Sequence, residues 1–595
     1  MASDRKSSSI VEVAHIRDAA DRYDVAILGG GLAGLTLAIQ LKQERPATSV
    51  LVLEKREGPA PQAAFKVGES TVPSGAHYFA EVVGMKSHLE RQQQLKCGLR
   101  FFLPAEGNGD ITKRVEVGPG RFPAHDDYQL DRGLFENKLA AKARALGVDL
   151  QQGSRVGEVN FGDDLHDVSF TQFDQPRSTR ARWVVDASGR ASILKRKLGL
   201  GTDAGHHINS SWFRLGGGLD LEQWGDPSNP RWMARISEPG IRQYSTNHLT
   251  GEGYWVWLIP LATGPISIGV CADPRFHPFE EINDFARLLD WLRRHEPQLA
   301  AAVEPRLDDI EDFLRVEDFA YGVEQTYSKD RWSLVGEAAA FPDPFFSPGS
   351  DMIGYGNTLT GDLIVRDLDG EDVGERIDYY NELYQRIFAF VLSKTRDIYP
   401  IFGNAWITSG LLGWDIYVNH TNLVVLMLNN KLTDLDFMRS VDGELDRMFR
   451  LGMNMQQLFR QWHELEPDSS GRPPFRHTFR PSSLNAMVAD YPDDDALRKR
   501  LREEVRDAEA MAVAIFHRAA AALPDPPPPD RAVNPYAVSL RPDTWEADGL
   551  FESPGLTLEE ATGGVPEGFD RIWDDPTSGP PGKPAKAGSG RMMAR

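Results

Sequence analysis

The 595-residue chain, 41% hydrophobic and 26% charged, can bury a large core and by length divides into two or three units. A formal net charge of −21 with a pI near 5.2 argues against a general nucleic-acid or anionic-membrane surface. Cys97 and Cys271 stand too far apart for a metal motif, no apolar run reaches the about 18 residues of a membrane span, and MASDRKSSSI has no signal-like apolar segment; a metal-free protein of a reducing, cytoplasmic compartment is expected.

The first element is a short apolar strand, Tyr23 to Leu28, followed by GGGLAG, the helical run LTLAIQLKQ and a second strand, Val50 to Leu53, ending at Glu54. Strand, glycine turn, helix, strand is the opening of a parallel α/β unit. In Gly29-x-Gly31-x-x-Gly34 the absent side chains let a pyrophosphate reach the backbone and the helix N-terminus, and Glu54 is placed to accept from ribose hydroxyls. Asp131 to Leu146 reads as a helix, with Arg132 either reaching the cofactor diphosphate or serving as a helix-cap cation. Ala181 to Val185 reads as a strand entering the turn Asp186-Ala-Ser-Gly189.

From about 205 to 275, SWFRLGG, YWVWLIPL and PISIGVC predict an antiparallel, substrate-facing sheet. In Trp255-Val-Trp257-Leu-Ile259-Pro260, alternation sets Trp255, Trp257 and Ile259 on one face and Val256 and Leu258 on the other, and Pro260 stops the strand. The chain then returns to a strand, Trp332 to Val335, and a Gly/Pro-rich loop through Gly349, with a helix starting in the 350s. This out-and-back order suits FAD, whose ring system extends toward a second unit. Glu337 would address hydroxyls of the cofactor, and Asp343 would bracket the rest of it or hold its own turn.

Residues 368 to 520 are mainly helical in pattern. Trp406, Trp414, Tyr417 and His420 could wall a pocket there, with core packing as the default for each. Pro524 and Pro526 to Pro529 end the helices, and the polar remainder reads as a wrapping arm or loose tail, with 575–595 the disorder candidate. The expected fold is therefore α/β: a Rossmann-like FAD-binding domain in two pieces, 22–204 and 328–367, an inserted antiparallel substrate-facing sheet with connecting helices at 205–327, a mainly helical domain at 368–523 and an arm at 524–595.

With these motifs assembled, the chain resembles the flavin-dependent halogenases of the flavoprotein monooxygenase superfamily. The matching residues are GGGLAG at 29–34, the segment Lys66-Val-Gly68-Glu69-Ser70-Thr-Val-Pro73, Lys96 in LKCGLRF, WVWLIP at 255–260, DASGR at 186–190 and FPDPFFSPG at 341–349. They span roughly residues 22 to 400. The resemblance implies that reduced FAD, O2 and chloride or bromide yield hypohalous acid, which passes through a tunnel to a lysine beside an electron-rich aromatic substrate. Lys96 matches that lysine, as hydrogen-bond donor to hypohalous acid or as a haloamine. Trp255 and Trp257 become a wall that keeps organic substrate away from the flavin, and Glu69 and Ser70 shape the flavin-side loop.

Two positions depart from the family pattern. Phe346 stands where tryptophan halogenases carry a glutamate, which points away from indole and toward phenolic or pyrrolic substrates, free or carrier-linked. Pro348 has no backbone N–H, so a halide site at Ser347, Pro348 and Gly349 lacks one of its donors. A separate flavin reductase is the expected source of reduced FAD. The alternatives are a flavin monooxygenase that inserts oxygen into a related substrate, a reductase or desaturase, and a non-catalytic flavoprotein scaffold that binds a partner.

Overall fold

The fingerprint strand Arg22–Leu28 lies in the middle of a parallel sheet because every residue from Val25 to Leu28 is fully buried, as a strand covered on both faces requires. The computed structural model of the chain describes residues 21–61, 68–104, 106–123, 125–236, 238–468, 491 and 493–564. Lys66 and Val67 of the KVGES motif, and the 575–595 segment, lie outside the described residues.

The sheet has seven strands. Val50–Glu54 pairs with Arg22–Leu28 on one side and Asp149–Gln152 on the other, all parallel. On its other edge Arg22–Leu28 meets Gln175–Asp186, a strand of 12 residues where only Ala181 to Val185 was expected. Its two halves do different jobs. Arg180 to Asp186 runs parallel to Arg22–Leu28 and, at its end, to Trp332–Leu334. Gln175 to Ala181 pairs antiparallel with His166–Gln172, which pairs with Ser154–Asn160. The exposed, charged first half carries no hydrophobic run, so it left no strand signal in the sequence.

The helix Leu32–Glu44 crosses this sheet and packs against Arg132–Ala145 and Gly349–Leu368. Return of the chain through Trp332–Leu334 to that last helix brings the 341–349 loop onto the glycine turn's side of the sheet.

A second seven-stranded sheet runs in the order Ile310–Val316, Asn209–Leu215, Ile266–Ala272, Tyr254–Pro260, Thr246–Gly251, Leu99–Leu103, Val115–Val117. Its pairings are antiparallel except that of Thr246–Gly251 with Leu99–Leu103. Two strands thus come from well before residue 205. Strands of three and five residues are too short for alternation to announce them, and the longer of the two joins the sheet through the distant Thr246–Gly251.

The Tyr254–Pro260 strand divides two cores. Trp255, Trp257 and Ile259 join the core shared with the dinucleotide sheet, and Val256 and Leu258 join a separate core with Trp232 and Trp291. Helices Gly374–Ser393, Ala405–Asn419, Asp442–Leu465 and Asp494–Ala520 build the rest of the main core. After the proline run, Val533 and Leu556 pair with each other and the helix Leu558–Gly564 lies on Asp494–Ala520. Among the described residues no helix is long and apolar enough to cross a membrane.

Candidate active site

The turn after Arg22–Leu28 needs glycine for reasons of contact. Gly29 has φ +119° and a Cβ there would stand 2.4 Å from the Ala187 carbonyl oxygen; at Gly34 it would stand 2.0 Å from the Gly29 carbonyl oxygen. Gly31 caps the helix that begins at Leu32. Glu54 closes the turn from the next strand, its Oε2 accepting from the Gly30 N–H at 2.8 Å and its Oε1 from the Arg56 N–H at 2.9 Å. A carboxylate has about four acceptor positions, so lone pairs remain beyond these two contacts.

From Leu32 a cavity of about 150 Å³ extends past Arg132, Arg190 and Glu337 to Glu69, Ser70, His248, Trp255, Trp257, Ser347 and Gly349. At Gly349 an added Cβ would meet nothing within 4 Å, because that residue faces open space. Ser350, 6% exposed, also lines the cavity, and its Oγ has no hydrogen-bond partner. A cavity that begins at a glycine-bounded helix N-terminus and carries two arginines fits FAD: the helix end with Arg132 and Arg190 would hold its phosphates, and Trp255, Trp257 and the 347–350 segment would border its redox-active ring.

Arg132 sits at the first position of its helix, the wrong end for a cation to favour the helix dipole. The cap-cation reading therefore fails. Instead Nη2 donates to Glu136 at 2.8 Å and Nη1 to the Gly68 carbonyl at 3.3 Å, with the side chain on the cavity wall.

The tryptophans are anchored from behind. Trp255 Nε1 donates to Tyr399 Oη at 2.8 Å, and Tyr399 Oη donates to Asp343 Oδ2 at 2.7 Å. Trp257 Nε1 donates to Ser267 Oγ at 3.1 Å, and the two indoles lie 5.7 Å apart, centroid to centroid. Opposite Trp257 on the neighbouring strand is Gly269, where a Cβ would fall 2.0 Å from the indole ring. Gly269→Ala is expected to displace that ring and cost about 1–3 kcal/mol of stability, read as a lower thermal midpoint; an unchanged midpoint would contradict this packing.

Glu69, 2% exposed, accepts from Arg214 Nη2 at 2.6 Å. Ser347 Oγ donates to Ser70 Oγ at 3.0 Å, and the Ser70 and Thr246 hydroxyls are 2.9 Å apart. Ser347 has φ +57°, an uncommon conformation for serine that turns the chain into Pro348 and the helix Gly349–Leu368. His248, which sequence reading passed over, also faces this cavity. Its Nδ1 donates to the Arg100 carbonyl at 3.1 Å, and burial pushes the imidazole down to about 3, so it is neutral. A lone histidine in TNHLTG carries no sequence signal.

The 342–352 segment is a partition. Pro342, Pro344, Ser347, Gly349 and Ser350 line the flavin-side cavity, whereas Asp343, Phe346, Pro348 and Asp351 line a second cavity of about 50 Å³ on the other side. This corrects three expectations. Asp343, placed at the cofactor by sequence, faces away: its carboxylate takes Tyr399 Oη, His206 Nε2 at 2.7 Å and the Phe345 N–H at 2.9 Å. Phe346 belongs to the second chamber, not to the flavin wall. Pro260 ends its strand and lines neither cavity; the neighbouring Ile259 supplies the wall.

Lys96 ends the short strand Gln94–Lys96, cross-paired with Asp127, and is fully buried, lining neither cavity. Its ammonium donates to the Thr71 carbonyl. Burial pushes it down to about 8, against the opposing charges of Asp127 and Asp351. Asp127 is pushed up by burial to about 7, with Lys96 acting the other way. Position 346 gives no carboxylate to the lysine, yet Asp351, in the first turn of the helix that follows, supplies one to the same neighbourhood.

Residues 27–110 match the model for an NAD(P)-binding Rossmann-like domain. The chain is 26% identical over 442 residues to the flavin-dependent halogenase chlA of Dictyostelium discoideum, covering 69% of this chain and 70% of the relative. It is 26% identical over 362 residues to a 1H-pyrrole-2-carbonyl peptidyl-carrier-protein chlorinase of Pseudomonas fluorescens, covering 58% and 76%. Among solved structures, halogenase PltM in complex with phloroglucinol and FAD aligns at a TM-score of 0.59 with 17% identity, over 82% of this chain and 96% of that one, a likeness of fold.

Proposed function

We propose, from its likeness to the flavin-dependent halogenases, that this chain is an enzyme that uses reduced FAD, O2 and chloride or bromide to halogenate an electron-rich phenolic or pyrrolic ring, free or held on a carrier protein. The observation that carries the reading is the pair of cavities back to back across residues 342–352, with two anchored indoles on the flavin side and with Lys96, buried and lining neither cavity, interacting by charge with Asp351 on the wall of the second. Bound FAD, reduced by a separate flavin reductase, would supply the oxidising equivalent that converts halide to hypohalous acid.

The protein's own part is positioning. Trp255 and Trp257 fill the volume in which an organic substrate would otherwise approach the flavin ring, so only a small oxidant passes. Lys96 meets that oxidant in one of two states: the ammonium donates to the oxygen of hypohalous acid, and the amine accepts the halogen while water leaves. A value near 8 keeps both states within reach of neutral pH. Relatives named for a carrier-bound pyrrole and for a complex with phloroglucinol support the substrate class.

The halide seat is proposed one residue beyond the sequence expectation. The Ser347 N–H is spent on the Pro344 carbonyl at 2.9 Å and Pro348 has none. Gly349 and Ser350 line the cavity and offer the unpaired N–H groups of a helix start, and the buried Ser350 Oγ, packed beside Gly75, has no partner. Ser350→Ala is expected to raise the KM for bromide about tenfold or more, the loss of one hydrogen bond to an ion, with the KM for reduced FAD unchanged. An unaltered bromide KM would remove Ser350 from the seat. The proposed activity as a whole is tested by supplying reduced FAD, O2 and bromide with a panel of phenols and pyrroles, and following brominated product.

A further inference from the structure

The second cavity contains a set of polar groups that the halogenation reading does not use. Lys394 lies just past the helix Gly374–Ser393, 4% exposed, its Nζ donating to Asn419 Oδ1 at 2.9 Å and standing 4.3 Å over the Phe390 ring. Asp415, 2% exposed on the helix Ala405–Asn419, accepts from Gln456 Nε2 at 2.7 Å through Oδ1, while Oδ2 is buried with no partner at all. His420 begins a π-helical turn, His420–Val424, a local feature frequent at functional sites. Its Nδ1 donates to the Ile416 carbonyl at 2.7 Å, and burial pushes it down to about 4, so it is neutral there. Val72, Leu99, Phe346, Val391 and Ile416 supply apolar wall, and Asp343, Asp351, Tyr355 and Thr395 add polar groups, of which Asp343 is already bonded to Tyr399 and His206 and Asp351 to the Gly75 N–H.

A buried carboxylate oxygen without a donor is rare in a native fold. Here it belongs to a residue on the wall of a cavity that Lys394 also lines. Such a site asks for a ligand with one hydroxyl on an apolar body. We propose that this cavity seats a single hydroxylated aromatic ring, its hydroxyl donating to Asp415 Oδ2 and its oxygen held by Lys394 as it ionises. Asp415 is then the base that activates the ring, and Lys394 the cation that holds the phenolate. The inference rests on the halogenation reading for the reaction, and on the cavity alone for the ligand.

In the step, the phenol O–H bond breaks and its proton passes to Asp415. A ring carbon ortho or para to the oxygen attacks the halogen of hypohalous acid, forming the carbon–halogen bond. The halogen–oxygen bond breaks, with its electron pair leaving as hydroxide. Loss of the ring proton to that hydroxide restores aromaticity and gives water, and Asp415 returns its proton to the phenolate. The ring is oxidised and the halogen reduced, with no other co-reactant. Burial pushes Asp415 up to about 7, high for a carboxyl, which makes it a competent proton acceptor near neutral pH. Lys394 is lowered to about 8 by the same burial, with Asp415 and Asp351 opposing.

The cavity is small, about 50 Å³, so a ring enters only as side chains on its walls give way. Met352, unbranched and on both cavity walls, and the half-buried Phe346 are the side chains that yield to one ring.

Titration of the full-length protein with 4-nitrophenol tests the site without any turnover, because its anion absorbs where the phenol does not. At a pH where free nitrophenol is mostly protonated, the bound ligand is expected to show an ionised-to-protonated ratio about tenfold above that of the free ligand, equal to a one-unit shift in its pKa. Lys394→Met is expected to return that ratio to the free value, and Asp415→Asn, which keeps the cation, to retain the anion band. In turnover with bromide, Asp415→Asn is expected to slow weakly acidic phenols about a hundredfold, within the usual range for a lost acid–base group, and polyfluorinated phenols, already ionised, far less.

Absence of nitrophenol binding, a wild-type spectrum equal to that of the free ligand, or an anion band that survives in Lys394→Met overturns the site; the first two need no variant to fold. Equal slowing of acidic and weakly acidic phenols would make Asp415 merely structural and overturn its role as base. If the anion band appears as expected but the wild type brominates no phenol, the site stands and the halogenation reading falls.

Discussion

Lys96→Met is expected to lower the yield of halogenated product by about a hundredfold or more, the scale of losing a positioned acid–base group, while the protein still retains FAD. Methionine keeps the length and the apolar stem, so packing around the buried side chain is largely preserved. What disappears is the nitrogen that donates to the Thr71 carbonyl and sits among Asp127, Asp351 and His248. Those carboxyls are already raised by burial, so they protonate when the cation goes. Oxidant would still form on the flavin side and escape unused, so reduced FAD consumption uncoupled from product is the signature to measure. Full halogenation by the variant would remove Lys96 from the reaction. The pH profile separates its two chemical states. If the amine accepts halogen, the rate rises as pH passes upward through about 8; if the ammonium acts as donor, the rate falls there. Asp127 titrates near 7 beside it, so the two steps belong to the pair.

Gly34→Ala is expected to weaken FAD binding by about a hundredfold, roughly 2.7 kcal/mol, and to release flavin on gel filtration. The new Cβ would lie 2.0 Å from the Gly29 carbonyl oxygen, a backbone atom that no rotamer change can move. Either the turn opens or the helix Leu32–Glu44 lifts from the sheet, and both spoil the helix N-terminus offered to the phosphates. Gly349→Ala is the matched comparison. Its Cβ meets no protein atom, so fold stability is expected to be unchanged while flavin affinity falls, because the methyl group enters the cavity. Equal flavin retention by all three proteins would mean that the cofactor lies elsewhere.

The parts of this molecule that were legible in its sequence are those whose partners are close along the chain or repeat along one element. Gly29, Gly34 and Glu54 belong to one strand–turn–helix–strand unit, so their contacts follow from local geometry. Trp255, Val256, Trp257 and Leu258 separate into two cores because alternation is intrinsic to a strand. The loop 342–352 was recognisable, but its division of side chains between two cavities was not, since irregular backbone has no period; Asp343 and Phe346 were misplaced for that reason. Lys394 and Asp415 were invisible for a different one. Each is a single charged residue in a helical pattern, where a solvated face is the ordinary reading, and only the packing of three helices far apart in sequence buries them together. The aromatic stretch around Trp414 drew notice, yet of those residues only His420 reaches the cavity; Trp406, Trp414 and Tyr417 are core. Asp351 escaped in the same way, hidden in a first helical turn that supplies the carboxylate missing at Phe346.

The central claim is that halogen, and not oxygen, crosses the partition. The direct measurement is mass spectrometry of the product formed from reduced FAD, bromide, isotopically labelled O2 and a phenol or pyrrole. The account predicts a product that carries the two-isotope signature of one bromine, requires bromide and contains no label. A product heavier by one labelled oxygen, formed equally well without halide, would contradict it and make the enzyme a monooxygenase.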